Sequence, residues 1–155
     1  MASYLFNNAE LFHPSLQKKA EEFQNKLLEK EALLEKKLTE FISETQHSNE
    51  YNSFTGLGFG ELFHKEGMLF LIYEDDELKF WSDNSVPVID ELTPRRNYEE
   101  PLQKLSNGWY FSKTKQKGNK TYIALLLIKN EYPFENKYLQ NDFNKCFDIE
   151  GLDIS

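Results

Sequence analysis

Trp109-Tyr110-Phe111-Ser112-Lys113-Thr114-Lys115-Gln116-Lys117, Gly118-Asn119, Lys120-Thr121-Tyr122-Ile123-Ala124-Leu125-Leu126-Leu127-Ile128 reads as two strands joined by a two-residue turn. Gly and Asn tolerate the backbone conformations that short hairpin loops demand. Side chains alternate between the two faces of a strand, and the returning run over 121–128 is apolar on both. Such a strand needs cover on both sides, which places it at the centre of a sheet. The outgoing strand turns polar toward Lys117, so its turn-proximal end belongs in water.

A second run of the same kind lies upstream. Met68-Leu69-Phe70-Leu71-Ile72-Tyr73 is apolar on both faces, Glu74-Asp75-Asp76-Glu77 reads as a turn, and 78–81 reads as the returning strand. The stretch 82–106 carries Pro87, Pro94 and Pro101 and reads as a long connection, with a short helix expected near 99–105. A second short helix is expected over 136–143, after Pro133.

Toward the N-terminus, Leu16, Ala20, Phe23, Leu27, Leu34, Leu38 and Phe41 recur at helical spacing within a Lys- and Glu-rich background. A helix over about 15–45 follows, with Ser15 as a candidate cap after Pro14. Glu22 and Lys26 form a favourable four-apart pair, and Glu31 and Glu35 an unfavourable one. Thirty residues of helix reach roughly 45 Å, more than a small domain is wide, so part of the helix must protrude, pair, or lie along a long sheet. The expected fold class is α+β: a single domain over 1–155 whose long N-terminal helix packs on a mostly antiparallel sheet, with the sheet-containing body at about 54–155.

Composition excludes several functions. The 155 residues carry a net charge of -8, which opposes nucleic-acid binding. The one basic cluster, Lys113, Lys115, Lys117 and Lys120, falls at the hairpin tip and reads as solvated. There is one cysteine, Cys146, so no internal disulfide forms, and its neighbours Asn144, Lys145 and Phe147 offer no base, so it reads as a half-buried thiol. His13, His47 and His64 lack metal-ligand spacing. Gly56, Gly58 and Gly60 lack the ending of a phosphate-binding loop and read as close backbone packing. The four acids at 74–77 read as a solvated turn rather than a calcium loop. The reading assigns no catalytic residue, metal or cofactor. No apolar run approaches the ~20 residues needed to span a membrane, and the start lacks signal-peptide features. Both ends read as cut, and an excised domain is expected.

Two groups of residues stand out as candidate sites. Trp81, Asp83, Asn84, Arg95, Trp109 and Tyr110 fall at strand ends or in the long connection, and together form a candidate small-ligand pocket in which arginine grips a carboxylate. The competing reading makes the tryptophans core or rim residues and Asp83-Asn84 an Asx turn. The second group is Leu16, Ala20, Phe23 and Leu27, the distal part of the helical stripe, expected to pair with a second copy while 34–41 packs on the domain's own core.

The order of a long helix, then hairpins around a long loop, resembles extracytoplasmic PAS-like or Cache-type sensor domains. Phe80-Trp81-Ser82-Asp83-Asn84, Asn107-Gly108-Trp109-Tyr110 and the stretch 128–144 (IKNEYPFENKYLQNDFN) resemble the input domains of bacterial membrane histidine kinases. The resemblance implies a periplasmic domain of an inner-membrane receptor, homodimeric, with a small ligand or partner and with kinase activity in a separate cytoplasmic part. The membrane would be met only through segments outside this chain. The chain itself carries no phospho-acceptor or ATPase signature. The main alternative is a cytoplasmic interaction protein whose helix binds a partner, and the third reading, a small enzyme, lacks any catalytic constellation.

Overall fold

The computed structural model describes residues 14–88, 98 and 100–147. Helix α1 (Pro14–Thr45) contains no glycine and no proline beyond its first residue, and Leu, Lys and Glu dominate it. A 3-10 segment (Tyr51–Leu57) and the short helix α2 (Glu61–Glu66) follow, ended by Gly58 and Gly67 at φ 79° and 72°. Five strands come next: β1 (Met68–Glu74), β2 (Glu77–Trp81), β3 (Leu102–Leu105), β4 (Gly108–Lys117) and β5 (Lys120–Asn130). They form one antiparallel sheet in the order β2-β1-β5-β4-β3, with β5 at its centre as its two apolar faces require. The fold is α+β, a long N-terminal helix on an antiparallel sheet.

Alternation divides the core into two layers. Met68, Phe70 and Ile72 of β1, with Tyr122, Ala124, Leu126 and Ile128 of β5, face α1 and pack with Leu34, Leu38, Phe41 and Ile42. Leu69, Leu71 and Tyr73, with Ile123, Leu125 and Leu127, face the other way and pack with Val86, Tyr98, Leu105 and Tyr110. The first face is thus covered by α1, and the second meets Val86 and Tyr98 from the described part of the chain between β2 and β3. Phe41 sits at the centre of the first layer, with the rings of Phe59, Phe70, Phe80 and Tyr122 at 4.9, 5.3, 5.8 and 6.2 Å.

Two local expectations are corrected. The helix expected near 99–105 is instead β3, an edge strand in which Leu102 and Lys104 are exposed and Gln103 and Leu105 buried. Pairing with β4 imposes this period of two. The helix expected at 136–143 does not form. Asn130 N donates to the Asp142 carbonyl and Asn144 N to the Ile128 carbonyl, so the segment's backbone bonds to β5, while Asn136 N donates to the Leu139 carbonyl and Asn141 N to Glu135 Oε1 and neither joins a helical ladder. The segment returns instead to β5, where Phe143 bridges to Lys129 and a 3-10 turn (Lys145–Phe147) ends the described chain. The glycine-rich stretch does pack closely at one point: a Cβ on Gly60 would lie 2.9 Å from the carbonyl oxygen of Ser82.

The hairpin lysines are not a free basic patch. Lys113 pairs with Glu31 at 2.8 Å, Lys115 with Glu35, and the buried Lys120 donates to the carbonyl of Ser48 at 2.8 Å. The repulsion between Glu31 and Glu35 is therefore offset from β4. Lys30 is also buried and is paired with Glu66 of α2 at 2.6 Å. Burial works against its charge, but the hydrogen bond to Glu66 and the nearby acidic groups outweigh it and hold its pKa above the usual lysine value.

Phe41→Ala removes the ring shared by four aromatic neighbours. Urea denaturation is expected to show a loss of about 3–5 kcal/mol. A loss below about 1 kcal/mol would mean that α1 is not seated on the sheet as described.

Candidate functional site

The second face of the sheet is where polar side chains gather under cover. Ser112 and Thr114 of β4 point to this face, while Lys113 and Lys115 point toward α1. The Ser112 hydroxyl lies 2.9 Å from the carbonyl oxygen of Tyr98 and 2.6 Å from that of Glu100. Thr114 Oγ1 donates to the Tyr98 carbonyl at 2.9 Å, and Gln103 Nε2 to that of Glu100 at 2.7 Å. These donors hold Tyr98 and Glu100 over β4, and Ser112 N donates to the Pro101 carbonyl at 2.7 Å. Reading the sequence passed over Gln103, Ser112 and Thr114. The one signal available was hydroxyls alternating with lysines along 112–115.

Tyr110, a candidate pocket residue, lies fully buried on this face. Its hydroxyl donates to Asn107 Oδ1 at 3.1 Å, and Asn107 Nδ2 donates to the Ser85 carbonyl at 3.3 Å. Ser85 N donates to Asp83 Oδ1 at 2.7 Å, the Asx turn weighed against the pocket reading. Asp83 Oδ2 lies 3.5 Å from Nε2 of the exposed His64. A chain of polar contacts therefore runs from a buried phenol to an exposed imidazole, and it joins Tyr110 to Asp83. Asn84 is exposed beside it. Arg95 lies outside the described residues.

The two tryptophans do not share this place. Trp81 pairs with Leu71, so it belongs to the second face, at the outer edge of the sheet and 47% exposed. Trp109 precedes the inward-pointing Tyr110 and therefore faces the opposite side. There its Nε1 donates to Glu131 at 2.8 Å and the Lys104 ammonium lies 4.9 Å from its ring. Along the sheet, Trp81 is level with Ile123 and Trp109 with Lys129, six residues or roughly 20 Å apart. A single pocket lined by both rings is not what the register builds.

The helical candidates are also redistributed. Leu16 is 43% exposed and Ala20 half-buried, whereas Phe23 and Leu27 pack against the first-face core. The Phe23 ring lies 5.6 Å from Phe143 and 5.4 Å from Phe147. Helix α1 runs antiparallel to β5, so its N-terminal half overlies the segment that follows β5. Two of the four residues expected to face a second copy are thus covered by the chain itself.

Burial pushes the Tyr110 phenol up to about 12, and it raises Tyr51 and Tyr122 in the same direction. It also pushes the Cys146 thiol up, away from the thiolate a nucleophile needs. Among the described residues, no group of three or more His, Cys, Asp or Glu is placed to hold a metal ion, and no helix is long and apolar enough to cross a membrane. No family model, curated protein or solved structure matches this chain. The class that its fold defines is an α+β domain with a long N-terminal helix on one face of a five-stranded antiparallel sheet.

The raised phenols set a direction of pH dependence. Their contribution is fully present below about pH 10 and declines above it, where the unfolded chain releases protons that the folded chain retains. Tyr110→Phe removes its share: denaturation titrations should show a shallower loss of stability between about pH 10 and 12, with a cost of about 1 kcal/mol at neutral pH for the bond to Asn107. An unchanged alkaline slope would show that Tyr110 ionises equally in both states.

Proposed function

We propose that this chain is a signal-input domain of the PAS-like or Cache type, serving as the extracytoplasmic sensor of a membrane histidine kinase. The observation that carries the reading is the unequal cover of the two sheet faces. One face is sealed by α1, whose 32 residues span about 48 Å. On the other, Val86, Tyr98 and Glu100 lie against buried hydroxyl, amide and phenol groups. Binding sites commonly combine apolar walls with a few placed polar groups, and loops carry such sites more readily than packed elements do. The element order, and the stretches around Trp81, Tyr110 and 128–144 that resemble histidine-kinase input domains, support the same reading. The kinase chemistry would lie in another part of the receptor, and the receptor would be a homodimer.

The sheet itself supplies the coupling. Leu69 and Leu71 point to the second face and Met68, Phe70 and Ile72 to α1, all from one strand. A ligand that favours a slightly different seating of β1 and β5 would shift the helix on the other side, because close-packed layers change between discrete arrangements. The exposed Leu16 and Leu28 keep the alternative of a helix-mediated interaction protein in view. The two readings part over whether a small molecule binds the second face.

A screen of small carboxylates, amino acids and sugars by thermal shift, followed by amide chemical-shift mapping, tests this. A binder should shift Tyr110, Ser112 and Ile123 saturably and lose at least about tenfold in affinity on Ser112→Ala or Tyr110→Phe, the size expected for one lost buried hydrogen bond. Binders that map elsewhere, or a broad screen with none, would overturn the small-ligand reading in favour of the helix-mediated one.

A further inference from the structure

We propose that residues 143–147 are an internal stopper on the pairing face of α1, occupying the place that a second copy of this chain takes when the segment lifts. The inference rests on the homodimeric sensor reading for its purpose, while its contacts stand independently. Leu16, Ala20, Phe23 and Leu27 are spaced by four, three and four residues, the seam of a two-stranded coiled coil. Phe143 and Phe147 lie against this seam, with ring centroids 5.6 and 5.4 Å from Phe23, and Phe147 is fully buried. The same faces of Phe23 and Leu27 cannot serve both partners, so the intramolecular and intermolecular contacts exclude one another.

The seam has a built end. Three residues beyond Leu27 stands Lys30, buried and paired with Glu66 of the domain's own α2. The domain's own α2 therefore occupies the stripe at Lys30, so pairing is confined to residues 16–27. At the open end of the seam, Leu16 remains 43% exposed, which leaves a first point of contact for a second helix.

The segment is tied to α2 by Cys146 Sγ, 3.5 Å from the Lys65 carbonyl, and its other bonds lead to the sheet. Asn144 N donates to the Ile128 carbonyl at 2.8 Å and Asn144 Nδ2 to the Leu127 carbonyl at 2.9 Å. Asn144 Oδ1 accepts from Cys146 N at 3.3 Å, which shapes the turn that inserts Phe147. Gly67 makes room for this amide: a Cβ there would fall 2.0 Å from Asn144 Nδ2, and its φ of +72° disfavours a side chain. Leu127 belongs to the second-face core, so a change on that face reaches Asn144 through a single strand residue. Lifting the segment breaks two bonds to β5 and the one from Cys146 to α2, exposes Phe23 and Phe147 together, and a second helix covers the exposed stripe.

Sedimentation equilibrium across one concentration series tests the proposal, with no ligand or membrane present. Phe143→Ser with Phe147→Ser should strengthen dimerisation at least about tenfold over the native chain. Adding Phe23→Glu should abolish the gain. Asn144→Ala loosens the stopper while keeping both rings; it should move dimerisation the same way by a smaller factor, and it decides alone if the double variant fails to fold. Hydrogen exchange at 16–27 should quicken in dilute Asn144→Ala, with 34–45 unchanged. Folded variants no more dimeric than the native chain, or a native dimer insensitive to Phe23→Glu, would overturn the stopper. Because no ligand enters these measurements, they can fail while the second-face screen succeeds, and the reverse holds equally.

Discussion

Every residue from Tyr122 to Ile128 is buried, and the strand that carries them is hydrogen-bonded on both edges. This two-sided burial of β5 is the constraint from which the rest of the architecture follows. Each large apolar side chain buried there contributes roughly 1.5–3 kcal/mol, and only if both faces are sealed. The first seal must be long and apolar along one stripe, which α1 supplies with Leu34, Leu38, Phe41 and Ile42. The second face is met by single residues, Val86, Tyr98 and Leu105, set between polar groups.

Polar chemistry pins the two ends of α1 differently. At its C-terminal end, the exit from the helix is tied to both hairpin tips. Lys120 reaches the Ser48 carbonyl and lies 5.4 Å from the Tyr51 ring. Tyr51 donates to Glu74 at 2.7 Å, and Asn119 donates to the same carboxylate at 3.3 Å. The bond from Tyr51 holds Glu74 below the usual carboxylate range. At the N-terminal half, Phe23 and Leu27 meet the core through the last described segment of the chain. Segments held by few contacts open at lower cost than the rest of a domain, so motion of α1 relative to the sheet should be concentrated in this half.

This asymmetry gives the domain a fixed part and a movable part joined by β5. The helix from Leu34 onward is seated on the same strands whose opposite faces carry the buried polar groups. Charge reinforces the seating, since Lys113 and Lys115 of β4 neutralise Glu31 and Glu35 of α1.

Local sequence determined the elements whose physics is local. The helical stripe, the turns at 75–76 and 118–119, the central place of β5 and the Asx turn at Asp83 were all legible, because period, turn chemistry and two-sided apolarity act over a few residues. Asp75 and Asp76 take positive φ as a two-residue turn requires, and Gly118 does the same. Tertiary structure alone decided the remainder. Residues 102–105 became a strand because β4 offered an edge, and 136–143 lost its helix to β5, which takes Asp142 and Asn144 into backbone bonds. The tryptophans fell on opposite faces because Trp81 lies across from Leu71 and Trp109 beside the inward Tyr110, and only the assembled sheet shows which side of each strand is which. Phe23 was legible as apolar and helical, but Phe143 and Phe147, some 120 positions on, were invisible as its partners. Amphipathicity states that a face must be covered, and only the path of the whole chain states by what.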